Sequence, residues 1–351
     1  MFEEPGKGRE RVGRFSAVDL FCGAGGLTEG LRQAGFRVVG AVDVAELAAD
    51  AYELNHPDVV LWRRDIRKLR PEEMMERLGI RPGELDLLAG CPPCQGFSTM
   101  RTHRQAPSVR DSRNGLVAQF ARFAEALRPK TLMMENVPGL ADDRRLRLML
   151  RRLERVGYSL TYGVLDAADY GVPQRRRRLV LLGALGDPVP FAAPEARPVS
   201  VHQALGTLAS AGASGDPLHD HGEIRSASVR SIIRDIPHDG GSRAALGPDR
   251  QLACHVRRQG WYDVYGRMAW DEPAPTITSG CINPSKGRFL HPVEDRAITL
   301  REAALLQSFP PHYRFPLTRG KYRAADLIGN ALPPRFVASH ARQLTKVLRA
   351  A

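Results

Sequence analysis

Residues 17–26 read AVDLFCGAGG, and their flanks decide how the stretch is to be taken. The run RFSAVDLF (14–21) reads as a strand, and LTEGLRQAG (27–35) reads as a helix closing at Gly35. Glycines between a strand and a helix let a ligand approach the backbone and leave helix N-terminal amides open to it. Alone, such a loop is weak evidence, because ordinary turns also use glycine. It gains weight from FRVVGAVDV (36–44), a second strand that carries Asp43 at its end. About 20 residues beyond a glycine loop is where a carboxylate typically accepts ribose hydroxyls. The dinucleotide pattern is incomplete, since Phe21 and Cys22 precede the first glycine and the pyrophosphate glycine is missing. The spacing therefore fits an adenosine-type cofactor. A third strand end, RRDIRKL (63–69), sets Asp65 beside Ile66, a carboxylate next to an apolar surface that could flank an adenine.

The alternation continues outward. LDLLAG (85–90) is strand-like, GLVAQFARFAEALRP (115–129) helical, TLMMENV (131–137) a strand, DRRLRLMLRRLERVG (143–157) a basic amphipathic helix, and RRLVLLGAL (177–185) a strand. Strands alternating with helices of this length predict an α/β fold with a parallel, doubly wound sheet. From about residue 186 the texture changes to Pro-, Gly-, Ser-, Asp- and His-rich sequence. That region is expected to form a second, smaller, loop-rich domain. Helical LREAALLQSF (300–309) and PRFVASHARQLTKVLRA (334–350) close the chain.

The 351-residue chain carries a net charge of +12, with arginine far outnumbering lysine. This suits a polyanionic partner, although base composition of the genome produces the same bias. No apolar run approaches the length of a membrane helix, and the first residues are charged, so a soluble, cytoplasmic protein is expected. The 5 cysteines are too sparse for a disulfide framework.

Two of those cysteines lie in GCPPCQGFS (90–98), at the carboxyl end of a predicted strand, where ligands bind in doubly wound folds. A redox C-x-x-C opens a helix, whereas this one runs into a polar stretch. Structural zinc needs four ligands, and no second pair stands at suitable spacing, so no metal site is expected; Cys254, His255, Cys281 and His291 are the remaining combination. Pro92 and Pro93 constrain the backbone before Cys94, so its thiol is held rather than left to wander. Glu135 and Asn136 end a strand on the same edge. In QRRRR (174–178), period-two alternation gives Arg176 and Arg178 one face, and Arg175 and Arg177 the other.

Taken in order, DLFCGAGG, Asp65–Ile66, PPCQGFS, ENV, QRRRR, LREAALLQSFP and IGNALPP resemble the motifs of the bacterial DNA (cytosine-5) methyltransferases of restriction-modification systems. The resemblance runs from about residue 15 to the C-terminus. It implies a Rossmann-like S-adenosylmethionine-dependent methyltransferase domain, discontinuous over 1–188 and 318–351, with a target-recognition domain at 189–317. Cys94 would attack carbon 6 of a flipped-out cytosine, and Glu135 would protonate the ring. Arg178 would hold the carbonyl oxygen, Arg176 would support the same pocket, and Asn136 would buttress the Cys94 loop.

The resemblance also implies a cofactor set for S-adenosyl-L-methionine: Phe21, Gly23, Ala24, Gly26, Asp43, Val44, Asp65, Ile66, Pro93, Leu116, Asn330 and Ala331. Members commonly have glutamate where this chain has Asp43, which puts affinity rather than role at issue. Residues 98–115 resemble the loop that closes over DNA. In the target domain, WDEPAPTITSG (270–280) resembles a threonine-bearing turn of the family, and Arg257, Arg258, Arg267 and Lys286 are candidate base or phosphate contacts. LHDHGE (218–223) looks like a metal cluster, but a solvated loop is the more economical reading.

The implied partners are double-stranded DNA and a cognate restriction endonuclease acting separately, with no membrane and a monomeric enzyme. Three rivals remain: a tRNA cytosine-5 methyltransferase of the same fold, a non-catalytic DNA-binding homologue, and a nicotinamide-dependent oxidoreductase. GCIN (280–283) stands where the tRNA enzymes carry Cys-Phe-Thr, favouring DNA. Intact Cys94, Glu135 and Arg178 argue against a non-catalytic homologue.

Overall fold

The computed structural model describes residues 14–93, 115–251 and 263–350. The first half builds β1 (Phe15–Leu20), α1 (Gly26–Gln33), β2 (Phe36–Asp43), α2 (Glu46–Asn55), β3 (Val60–Arg63), α3 (Pro71–Leu78) and β4 (Leu87–Gly90). It continues through α4 (Leu116–Leu127), β5 (Thr131–Asn136), α5 (Arg144–Val156), β6 (Tyr158–Asp166) and β7 (Arg177–Leu185). These strands form one sheet in the order β3-β2-β1-β4-β5-β7-β6. The first five are parallel, so β1, β2, β4 and β5 end on one edge.

Two features differ from the sequence reading. The sheet is mixed: β7 pairs antiparallel with both β5 and β6. In addition, β6 is a strand absent from the sequence reading. The reason is connection length. Parallel neighbours need a crossover of a dozen or more residues, usually a helix, whereas only a short turn over Ala167–Tyr170 and a loop join β6 to β7. β6 is an edge strand, mostly half-buried, so its sequence lacks a continuous apolar run.

Apolar clusters cover both faces of the sheet. On one, Leu27 and Leu31 of α1 meet Phe336, Val337, Leu344 and Leu348 of α10 (Pro334–Ala350), the returning C-terminal helix. On the other, Phe120, Phe123 and Leu127 of α4 pack with Leu146, Met149 and Leu153 of α5, whose arginines stay at the surface. α5 starts on an Asp143 cap, its carboxylate accepting the Arg145 amide at 2.8 Å, and ends at Gly157 with φ +107°.

Beyond β7 regular structure is sparse: α6 (Val201–Leu205), α7 (Ala227–Asp235), α8 (Leu300–Leu306) and α9 (Lys321–Asn330), joined by irregular backbone. Thr299 and Glu302 form a reciprocal capping box that starts α8. A third cluster joins α8 and α9 to Met268, Ala274, Ile277 and Phe289, and reaches Ala24 and Ala51 of the first half. A fourth, smaller cluster centres on Ile232, Ile233, Ile236 and Leu290. Arg267 lies fully buried beside it. Its guanidinium donates to the carbonyls of Ile233, Ile236, His291 and Glu294 and pairs with Asp295 at 2.6 Å. It therefore braces this region rather than reading bases, which corrects the sequence-based expectation. Among the described residues, no helix is long and apolar enough to cross a membrane.

The contact of α1 with α10 depends on Gly30, where a Cβ would collide with the Pro334 carbonyl and with Val337. Gly30→Ala should destabilise the protein by about 1–3 kcal/mol in urea melts, because the two helices must separate. An unchanged midpoint would contradict this packing.

Candidate active site

The glycine loop owes its shape to backbone that few side chains adopt. Phe21, Gly23 and Gly25 have φ of +64°, +55° and +93°. At Gly23 a Cβ would meet nothing within 4 Å, so this side of the loop is open to a ligand. At Gly25 a Cβ would collide with the Tyr313 hydroxyl and the His56 ring. Asp43 bridges the loop to its own strand end: one carboxylate oxygen accepts from the Gly23 amide and the other from the Ala45 amide, each at 2.8 Å. Burial raises its pKa, against the lowering effect of those amides.

Of the expected cofactor residues, Val44, Asp65 and Ile66 follow the ends of β2 and β3, Leu116 starts α4, and Asn330 and Ala331 lie at the end of α9. Val44, 67% exposed, offers apolar surface beside Asp43. Asp65 caps a short turn through the Arg67 amide and pairs with the Arg67 guanidinium, which holds its carboxyl below the ordinary range. Ile66 and Leu116 are buried, and Arg122 ties their elements together by donating to the Ile66 carbonyl at 2.6 Å. Ala331 is buried, while Asn330 is exposed at the end of α9.

Tyr313 and His56 are contributors that the sequence reading missed. The Tyr313 hydroxyl donates to the Ala24 carbonyl at 2.6 Å. His56 Nε2 stands 3.0 Å from the same hydroxyl and must be its donor. Burial lowers the His56 pKa to about 3, so the ring stays neutral. No spacing rule links residues so distant in sequence.

Beneath the loop, Asp19 is fully buried, with one oxygen accepting from the Thr28 hydroxyl at 2.7 Å. The other oxygen has no hydrogen-bond partner among the described residues. Burial pushes the Asp19 pKa up to about 8, opposed by Thr28.

On the chemical side, β4 ends at Gly90, where a Cβ would crowd the Leu20 carbonyl at 2.8 Å. The Cys91 amide bonds the same carbonyl at 3.1 Å, locking the end of β4 to the end of β1. Asn136 donates to the Pro92 carbonyl at 2.8 Å and so braces the prolyl segment. Pro93 is the last described residue there; Cys94 and the loop at 98–114 lie outside the described residues. So do Cys254, His255, Arg257 and Arg258.

Cys91 is held inert: burial, then the charges of Glu135 and Asp19, push its thiol pKa well above the ordinary value. Attack by sulfur needs the thiolate, so this cysteine is a poor nucleophile.

Glu135 is buried and pairs with Arg178, Oε1 to Nε at 2.8 Å. The two meet because the start of β7 lies beside the end of β5, with Asn136 opposite Leu179. The alternation expected in QRRRR holds, with Arg175 and Arg177 exposed and Arg176 buried. Yet Arg176 has different company from Arg178. It donates to the carbonyls of Ile277, Gly329 and Ala331 at 3.0, 3.1 and 3.1 Å, and burial lowers its pKa to about 9.

In LHDHGE, Asp220 and His219 are engaged by other groups of the protein. Asp220 accepts the amides of Gly212, Ser214 and Gly215, and His219 sits between Thr299 and the Ala209 carbonyl.

The family model for C-5 cytosine-specific DNA methylases matches residues 15–346. The chain belongs to this family. Among its relatives are the type II methylase M.HgiDII of Herpetosiphon aurantiacus, 34% identical with 91% of each chain covered. The type II methyltransferase M.AgeI of Thalassovita gelatinovora is 31% identical, covering 90% of this chain and 96% of its own. The fold is shared with a putative DNA modification methyltransferase encoded within a prophage of E. coli. That structure has a TM-score of 0.73 at 24% identity and covers 95% of this chain and 99% of its own. DNMT2 of Spodoptera frugiperda has a TM-score of 0.63 at 17% identity, covering 94% and 99%. The protein is thus a DNA cytosine-5 methyltransferase that uses a methyl donor, and its relatives fit it to a restriction-modification role.

Asp19 gives this site a pH signature. The unfolded chain releases that proton near 3.8, while the folded protein keeps it to about 8. Its contribution to stability is full below pH 3.8 and is lost as pH rises through about 8. Asp19→Asn should therefore gain on the wild type between pH 5 and 8.5, read as urea midpoints. A constant difference would contradict the buried, protonated acid.

Proposed function

We propose that this methyltransferase takes its methyl group from S-adenosylmethionine held over the glycine loop, and that Cys94 is its nucleophile. The residues present fit such a cofactor. Gly23 leaves its side of the loop open, Val44 presents an apolar surface, and Asp43 keeps lone pairs free beyond its two amide bonds. S-adenosylmethionine supplies an electrophilic methyl on a sulfonium. Asp43 would accept the ribose hydroxyls. Phe21, Val44, Asp65, Ile66 and Leu116 would border the adenine, and Gly23, Ala24, Gly26 and Pro93 the methionine end. Asn330 and Ala331 would close the pocket from the C-terminal side.

The observation that carries the chemistry is the Glu135–Arg178 pair at 2.8 Å. A cytosine presents its ring nitrogen 3 beside its carbonyl oxygen, and this pair sets a carboxyl beside a guanidinium donor. Arg178 would hold the oxygen, and Glu135 the ring-nitrogen and amino edge. The Cys94 thiolate attacks carbon 6, forming the S–C6 bond, and Glu135 gives its proton to nitrogen 3 as the ring takes the electron pair. Carbon 5 becomes nucleophilic and is methylated. Loss of the carbon 5 proton to water then returns the electrons to the ring double bond and expels the thiolate, and nitrogen 3 gives its proton back to the Glu135 carboxylate. Inside a duplex, carbon 6 is stacked, so the base must first be extruded at a cost of a few kcal/mol.

The domain reading is part of this proposal: residues 1–188 and 318–351 carry the chemistry, and residues 189–317 read sequence in duplex DNA. Lys286 is exposed and available for such contacts. The enzyme would act as a monomer in the cytoplasm, with a separate endonuclease as its counterpart.

Incubation with cytosine-rich duplex DNA and methyl-labelled S-adenosylmethionine should place label on carbon 5 of cytosine. Cys94→Ala should abolish transfer, and Cys91→Ala should leave most of it. Label in tRNA but not in DNA would overturn the substrate, and equal losses in the two variants would overturn the single nucleophile.

A further inference from the structure

Three buried side chains outside the pair at Glu135 and Arg178 converge where distant parts of the chain meet. Gln174, Arg176 and Gln307 are 0%, 3% and 0% exposed. The Gln174 amide donates to the Leu306 carbonyl at 3.2 Å and to the Gln307 side-chain oxygen at 2.9 Å, while its own oxygen accepts from the Ile277 amide at 2.7 Å. Gln307 donates onward to the Ile328 carbonyl at 2.6 Å and, more weakly, to that of Ala331 at 3.4 Å. Arg176 takes the carbonyls of Ile277, Gly329 and Ala331. Ile277 is thus gripped at its amide and its carbonyl, and the end of α9 is gripped by two long side chains.

Among the described residues Arg176 has no carboxylate partner, and this has a physical reason. Gly329 and Ala331 lie at the carboxyl end of α9, where the last carbonyls lack intrahelical partners and the helix dipole is negative. A buried guanidinium with five donors suits such an end. The contact is also tight, because a Cβ on Gly329 would overlap the backbone of Thr278 and Ser279. On the surface side, the Thr276 hydroxyl donates to the Arg175 carbonyl at 2.7 Å, and Gln174 bridges Ala274.

We infer that Gln174, Arg176 and Gln307 are positioning residues that fix the turn Thr276–Gly280 to the segment Gly329–Ala331, so that DNA binding and cofactor binding strengthen one another. This rests on the proposed cofactor pocket, of which Asn330 and Ala331 would form one wall, and on the proposed reading of residues 189–317, to which the turn belongs, as the part that meets DNA. Arg176 thereby acts at a distance from the base, unlike Arg178, although both start the same strand. A single rigid hub between two ligand sites makes the ordering of one site reduce the cost of ordering the other. The coupling must be equal when measured from either side.

The test measures affinity for S-adenosylhomocysteine, which binds without turnover, alone and with a saturating duplex carrying the mapped methylation site. In the wild type the duplex should tighten binding by about 5-fold or more. Gln307→Met should bring that ratio towards one, raising KM for both substrates while kcat at saturation holds. Thr276→Val, which removes one surface-side bond, should lower the ratio partway and decides the matter if the Gln307 variant does not fold. A wild-type ratio of one, or an unchanged ratio in the folded variants, would overturn the inference. Failure of the wild type to bind the S-adenosyl compound at all would instead overturn the cofactor reading.

Discussion

The direction of β7 is the constraint on which the candidate active site depends. Because β7 runs against β5, its first residues lie at the edge where β1, β2, β4 and β5 end. Were it parallel, QRRRR would stand at the opposite edge, on the order of 20 Å away for a strand of this length. Glu135 and Arg178 could then not meet. The short turn between β6 and β7, which rules out a crossover, therefore makes the ion pair possible.

Around that edge, single residues join elements that the chain visits at different times. Cys91 fastens β4 to β1, Asn136 holds the prolyl segment, and Asp43 holds the glycine loop. The last third of the chain returns to the same place. Tyr313 fixes the Ala24 carbonyl, and the end of α9 meets Arg176. Each contact uses an otherwise unpaired backbone group, and buried amides and carbonyls left unpaired would each cost about 1–3 kcal/mol. The geometry is thus over-determined before any ligand arrives, which favours catalysis by a preorganised site.

Much of this was legible in the sequence because it is local. The glycine loop, the Asp43 strand end and the alternation of QRRRR all lie within short windows where period and turn chemistry act. The reading failed where the cause was non-local. β6 is an edge strand whose half-exposed residues carry weak periodicity, and β7 takes its direction from connection length rather than composition. Arg267 looked like a surface arginine because nothing in its neighbourhood announces the four carbonyls that surround it. His56 and Tyr313 are 257 positions apart, so their meeting follows only from the fold.

The most direct test of the central claim uses a duplex in which the target cytosine carries fluorine at carbon 5. Carbon 5 can still be methylated, but fluorine cannot leave as a proton would, so the enzyme should remain covalently attached. With S-adenosylmethionine present, peptide mapping should find the modified base on Cys94. Attachment through Cys91, or methyl transfer with no covalent complex, would contradict the account.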